Sequence, residues 1–88
     1  MNVAFRRSFT RDLRKIKQRQ VLKSVQRAIE SVEAAELLTD IANLKKLVGY
    51  DTFYRIRVGD YRIGVVIEAG EVDFVRCLHR RDLYRYFP

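Results

Sequence analysis

Residues 53–64 read FYRIRVGDYRIG. Tyr54, Ile56 and Val58 alternate with Phe53, Arg55 and Arg57, and Tyr61 and Ile63 alternate with Arg62 and Gly64. A period of two on either side of Val58-Gly59-Asp60 predicts two strands folded back into a hairpin. The second run continues through Val65 and Ile67, and a further turn at Glu68–Glu71 leads into an apolar run from Val72 to Leu78. Three runs joined by two turns predict an antiparallel meander.

Upstream the period changes. Asn2 to Phe5 is a short candidate strand, after which Phe9, Leu13 and Ile16 share one helical face, with Ser8 placed to act as N-cap. The pattern resets over Lys17–Gln20. Val21, Val25, Ala28, Val32 and Ala35 then form the stripe of a longer helix, flanked by Leu22 and Ile29. Two helices with one apolar stripe each predict a hairpin lying on a flat partner. Between helix and meander, LLTDIANLKKLVGYD carries Ile41, Leu44 and Leu47, so a packed loop is expected there. The predicted fold class is α+β. Its order is β-α-α-β-β-β, with the helical hairpin on one face of an antiparallel sheet and a short C-terminal element. Residues 1–88 are expected to form a single domain, with the other sheet face open to solvent or a partner.

The chain is small, 48% hydrophobic, and carries a formal charge of +7. Residues 1–27 hold nine lysines and arginines against Asp12, whereas residues 52–88 hold seven arginines, no lysine and five acids. That surplus predicts attraction to a polyanion without choosing which one. One cysteine and one histidine supply neither a disulfide nor a metal site. No apolar run approaches the roughly 18 residues of a membrane span, and no leader is recognisable, so a cytoplasmic protein is expected.

Arg55 and Arg57 share a strand face, and the hairpin brings Arg62 to the same end of the ladder. Gly64 is expected to leave the surface open for close approach by a ligand. The plain alternative is a solvated outer face. Against it, the exposed positions are repeatedly arginine, and HRRDLYRY follows the third strand with His79, Arg80, Arg81, Tyr84, Arg85 and Tyr86. Guanidiniums grip phosphate oxygens in pairs, and aromatic rings stack on unpaired bases, so single-stranded RNA fits such a face.

NLKKLVGYDTFYRIRVGDYRIGVVIE (residues 43–68) and HRRDLYRYF (79–87), with the N-terminal strand and helices, resemble the RelE/ParE superfamily of bacterial toxins, on its RelE side. The resemblance implies the same β-α-α-β-β-β fold. It also implies the toxin of a type II toxin–antitoxin system: a metal-independent endoribonuclease that cuts mRNA on the ribosome and blocks translation. Implied partners are a cognate antitoxin and ribosome-bound mRNA, with no membrane and no cofactor.

Carried over by position, the resemblance makes Arg57, Arg62, Arg81, His79 and Tyr84 catalytic candidates. Arg55, Arg80, Arg85 and Tyr86 become RNA-binding candidates. Relatives often carry lysine at Arg55 and Arg57, and glycine at Leu78. Arginine, with a pKa above about 12, is a poor general base. The proton carriers are therefore sought in His79 and Tyr84, in either order; both also read as structural side chains at the edge of the core. Two other functions share the fold: a ParE-like gyrase inhibitor that does no hydrolysis, and an RNA-binding homologue that has lost catalysis.

Overall fold

A computed structural model describes residues 1–88. Strand β1 (Asn2–Phe5) leads to helices α1 (Arg7–Lys15) and α2 (Arg19–Ala34), then a 3-10 turn at Leu38–Asp40. Strands β2 (Leu44–Lys46), β3 (Phe53–Val58), β4 (Tyr61–Glu68) and β5 (Glu71–His79) follow, and helix α3 (Leu83–Tyr86) ends the chain. All five strands form one sheet in the order β1-β5-β4-β3-β2.

The hairpin that starts the sequence reading forms in the expected register, with Arg57 opposite Arg62 and Val58 opposite Tyr61. Gly59 takes φ 59°, the left-handed conformation that the first central position of a II′ turn demands. The α+β architecture, with two helices on the sheet and a last helical turn, matches the expectation. The sheet is mixed instead of wholly antiparallel, because β1 pairs parallel to β5 from Asn2↔Glu71 to Phe5↔Phe74. Strand pattern alone carries no information about which edge a four-residue strand joins. Here stacking of Phe5 on both Phe9 and Phe74 decides it.

The connection expected as a packed loop contains the 3-10 turn and β2. Leu44, Lys45 and Lys46 pair with Ile56, Arg55 and Tyr54, while Ile41 and Leu47 are buried as expected. Three residues are too few to show a period of two against their neighbours. Ser8 is not the N-cap: Arg6 occupies that position, and the Ser8 hydroxyl instead donates to the Val75 carbonyl.

That bond is half of a seal along the sheet edge. β1 stops at Phe5, leaving β5 beyond Phe74 without a neighbouring strand on that side. Helix α1 lies against this stretch, and the Asp12 carboxylate accepts the Cys77 N–H at 2.9 Å. It also receives Arg76 through Nε at 2.8 Å and Nη2 at 3.1 Å. Asp12 is only 4% exposed. A buried carboxylate holding three donors satisfies the backbone of an edge that would otherwise recruit another chain. Asp12 holds the Arg76 guanidinium above its usual range, first through the side-chain hydrogen bond between them and then through its charge, with partial burial opposing.

The main core lies between the helices and the sheet, with Phe9, Val25, Val32, Ile63, Val65, Val72 and Phe74 almost entirely buried. A second, smaller cluster sits on the opposite sheet face, where Leu47, Leu83 and Phe87 pack with Phe53, Val75 and Leu78. The chain thus covers part of both faces, contrary to the expectation of one open face. Gly64 is likewise not open: a Cβ there would meet the Phe87 ring at 2.8 Å. Its missing side chain makes room for the C-terminal segment. Gly64→Ala should therefore cost about 1–3 kcal/mol through overpacking and loosen Phe87 from the sheet. Chemical denaturation of the variant measures this, and an unchanged midpoint would mean that Phe87 does not seat there.

Cys77 faces the helices, and burial first, then the Asp12 charge, pushes its thiol from 9.0 up to about 12. The folded chain keeps this proton where the unfolded chain loses it, so stability falls as pH rises above about 9. Between pH 8 and 10 the wild type should lose about 1.4 kcal/mol more than Cys77→Ala. Paired urea titrations at the two pH values check this; identical losses would show that the thiol is not held protonated.

Candidate RNA-binding face

The pleat puts Arg55 and Arg57 on the sheet face away from the helices, because Tyr54, Ile56 and Val58 turn inward to the core. Arg62, directly opposite Arg57, joins them. Lys45 lies opposite Arg55, so β2 extends the same row to the sheet edge. The residue after β5, Arg80, is tied in by its backbone N–H, which donates to the Asp60 carbonyl at 2.7 Å.

These cations are close enough to feel one another. The Arg62 guanidinium is held below the usual arginine range, first by burial and then by the positive charges of Arg55, Arg57 and Arg80, with Tyr84 opposing. Arg62 is fixed by donating from Nη1 to the carbonyls of Gly59 (2.8 Å) and Tyr61 (3.0 Å). Arg55 donates from Nη1 to the Asn43 carbonyl at 2.8 Å. None of them meets a carboxylate. The ion pairs in the protein are Arg6–Asp73 and Arg76–Asp12, both elsewhere. Like charges held together by carbonyls, with no acid to neutralise them, form a surface that an anion would stabilise.

The other candidates divide. Tyr84 belongs to this face; it is 66% exposed, and its position beside Arg62 follows from α3 folding back over the sheet. His79 does not. It pairs with the inward-facing Tyr61, whose ring it meets edge-on at 5.7 Å. It therefore opens on the helix side, into a cavity of about 410 Å³ shared with Asp12, Lys15, Arg76 and Tyr86. The Arg81 backbone N–H and Nε both donate to His79 Nδ1 at 3.3 Å, which ties Arg81 to His79. Tyr86 lies near Arg76 and Arg85, 5.8 and 6.0 Å from its ring centroid. So Arg55, Arg57, Arg62, Arg80 and Tyr84 come together, while His79, Arg81, Arg85 and Tyr86 occupy the β5 flank.

The sequence reading missed Lys45 and the exposed Tyr50 beside it. The signal for both was NLKKLVGY, which becomes legible only once β2 is seen to lie beside β3.

A family model for the ParE toxin of the type II toxin-antitoxin system, parDE, matches residues 3–84. Toxin RelE3 of Methanocaldococcus jannaschii is 38% identical over 89 aligned residues, with both chains covered in full. The protein is a RelE-like toxin of a type II toxin–antitoxin system. A chain of the RelB-RelE antitoxin-toxin complex from Methanococcus jannaschii superimposes on this RelE-like toxin with a TM-score of 0.81 and 35% identity. The match covers 97% of this chain and 99% of that one. The RelBE2 toxin-antitoxin complex from Mycobacterium tuberculosis gives a TM-score of 0.72 at 26% identity, over 90% and 96%. No helix of the toxin is long and apolar enough to cross a membrane.

Proposed function

We propose that this RelE-like toxin is an endoribonuclease that cuts mRNA on the ribosome without a metal, and that a cognate antitoxin neutralises it. One observation carries the proposal: four arginines and a tyrosine converge on one sheet face with no carboxylate among them. The likeness to RelB-RelE and RelBE2 complexes supports the antitoxin partner.

In the proposed reaction the 2′-hydroxyl loses its proton and its oxygen bonds to the adjacent phosphorus. The bond from phosphorus to the 5′-oxygen breaks, and that oxygen takes up a proton. The products are a cyclic 2′,3′-phosphate and a free 5′-hydroxyl. Arg57 and Arg62 stabilise the charge on the phosphoryl oxygens as the transition state forms, where fixed donors are most effective. Arg55 and Arg80 hold the flanking phosphates. Tyr84 is the proton-carrying side chain on this face. His79 and Arg81 act at a distance: the His79 ring accepts the Arg81 N–H within the turn that presents Arg80, which makes them positioning residues.

Expression without the antitoxin should arrest growth, with new RNA 5′ ends appearing within translated messages by primer extension. Arg62→Ala should abolish both. Growth arrest with intact messages would remove the ribonuclease reading. A second reading, inhibition of DNA gyrase, is favoured by the ParE description of the matching family model. A supercoiling assay with purified toxin separates the two, since gyrase inhibition needs no RNA.

A further inference from the structure

Beyond the arginines, the same face continues into a hollow that the proposed chemistry uses only at its Tyr84 border. The turn Leu47–Tyr50 closes with the Tyr50 N–H donating to the Leu47 carbonyl at 3.3 Å, and it faces the C-terminal segment across a cavity of about 300 Å³. Lys45, Lys46, Val48, Tyr50 and Tyr84 line it, over a floor made by Phe87. Three of these side chains are apolar or aromatic yet open to water: Val48 is 93% exposed, Tyr84 66% and Tyr50 45%. The Tyr50 ring is held edge-on by Phe53 at 5.2 Å, and Phe53 in turn by Phe87 at 5.5 Å. A rigidly backed, exposed ring beside Lys45, a lysine on the outer face without a carboxylate partner, is the arrangement that base stacking and phosphate contact require together.

We infer that this hollow is a nucleobase subsite, in which one RNA base stacks on Tyr50 while Lys45 holds its phosphate. The inference rests on the ribonuclease reading and adds to it a residue that holds one base near the cut. Three observations favour RNA over other occupants. Lys45 lies directly opposite Arg55, so the subsite is continuous with the arginine face. Its charged side chains are all cationic, with no Asp or Glu among them. Its apolar part includes the rings of Tyr50, Tyr84 and Phe87, which suit a flat base. The strand would run across the sheet from β4 to β2, with the reacting phosphate at Arg57 and Arg62 and the stacked base at the β2 edge.

The test uses purified toxin and short single-stranded RNA made uncleavable by 2′-O-methylation, with one abasic position moved along the strand. At one position, loss of the base should weaken wild-type binding about tenfold, and Tyr50→Ala should weaken binding of intact RNA by a similar factor. Combining the two should cost little more than either alone, because each removes the same contact. Tyr50→Phe should bind as wild type. The subsite is overturned if Tyr50→Ala binds intact RNA normally while Arg57→Ala and Arg62→Ala bind poorly. It is equally overturned if Tyr50→Ala loosens only the antitoxin complex, which assigns the hollow to that protein. Wild-type RNA binding by the arginine variants would instead remove the RNA face itself.

Discussion

Asp12→Ala will lower the stability of this toxin by about 3 kcal/mol or more, because removing one partner of a buried ion pair strands the other. The variant leaves the half-buried Arg76 side chain unpaired and the Cys77 N–H without an acceptor. Against a total stability of roughly 4–13 kcal/mol for a chain of this length, that is a large fraction. Asp12→Asn separates the two losses. Its amide oxygen can still take the Cys77 N–H, so it should fall between the wild type and alanine. Urea unfolding followed by circular dichroism measures all three. An alanine variant within about 0.5 kcal/mol of the wild type, the range of ordinary surface changes, would show that α1 does not seal the β5 edge through this carboxylate. Because the sealed edge is the one left free by β1, the same variant should also self-associate more readily.

Arg62→Ala and Arg57→Ala will each reduce the rate of message cleavage by about 10²–10³-fold, the usual cost of removing one fixed donor to a developing anion. The fold should tolerate both changes. Arg57 makes no hydrogen bond through its guanidinium and stands opposite another cation, so Arg57→Gln should leave the melting temperature unchanged or raise it slightly. Loss of activity without loss of stability is what distinguishes a site from a scaffold. His79→Ala provides the contrast. Its ring opens on the helix side, so it should weaken cleavage only through the turn bearing Arg80, and far less than Arg62→Ala. Equal collapse of activity in His79→Ala and Arg62→Ala would place the chemistry on both sides of the sheet and overturn the site as drawn. Purified variants assayed on ribosome-bound message, with melting curves from the same preparations, give both readouts.

The strand arginines were legible from spacing because a hairpin is a local structure. Once Gly59 sets the turn, pleating puts Arg55, Arg57 and Arg62 on one side. The stretch from the end of β5 onward, residues 79–87, was not legible in the same way. His79 still obeys the parity of its strand and turns inward with Cys77. Arg81 follows it through a hydrogen bond, and α3 then swings Tyr84 and Phe87 back over the outer face. A stretch read as one cluster is in fact distributed around the end of the sheet. Gly64 shows the same limit, since nothing nearby in sequence indicates that a ring 23 residues later fills its place.

What the sequence by itself determined was the periodic part of this toxin: two amphipathic helices, the meander, the excess of arginine on one strand face, and a likeness to RelE. Each depends on residues within a few positions of one another, where backbone geometry dictates which side chains share a face. Only the tertiary structure decided that β1 joins β5 in parallel, that Asp12 closes the edge left beside it, and that Lys45 and Tyr50 extend the arginine face. These contacts join residues 12 to 77 and 45 to 55 through packing and buried charge. Many partners satisfy such demands equally well until the whole chain has chosen one.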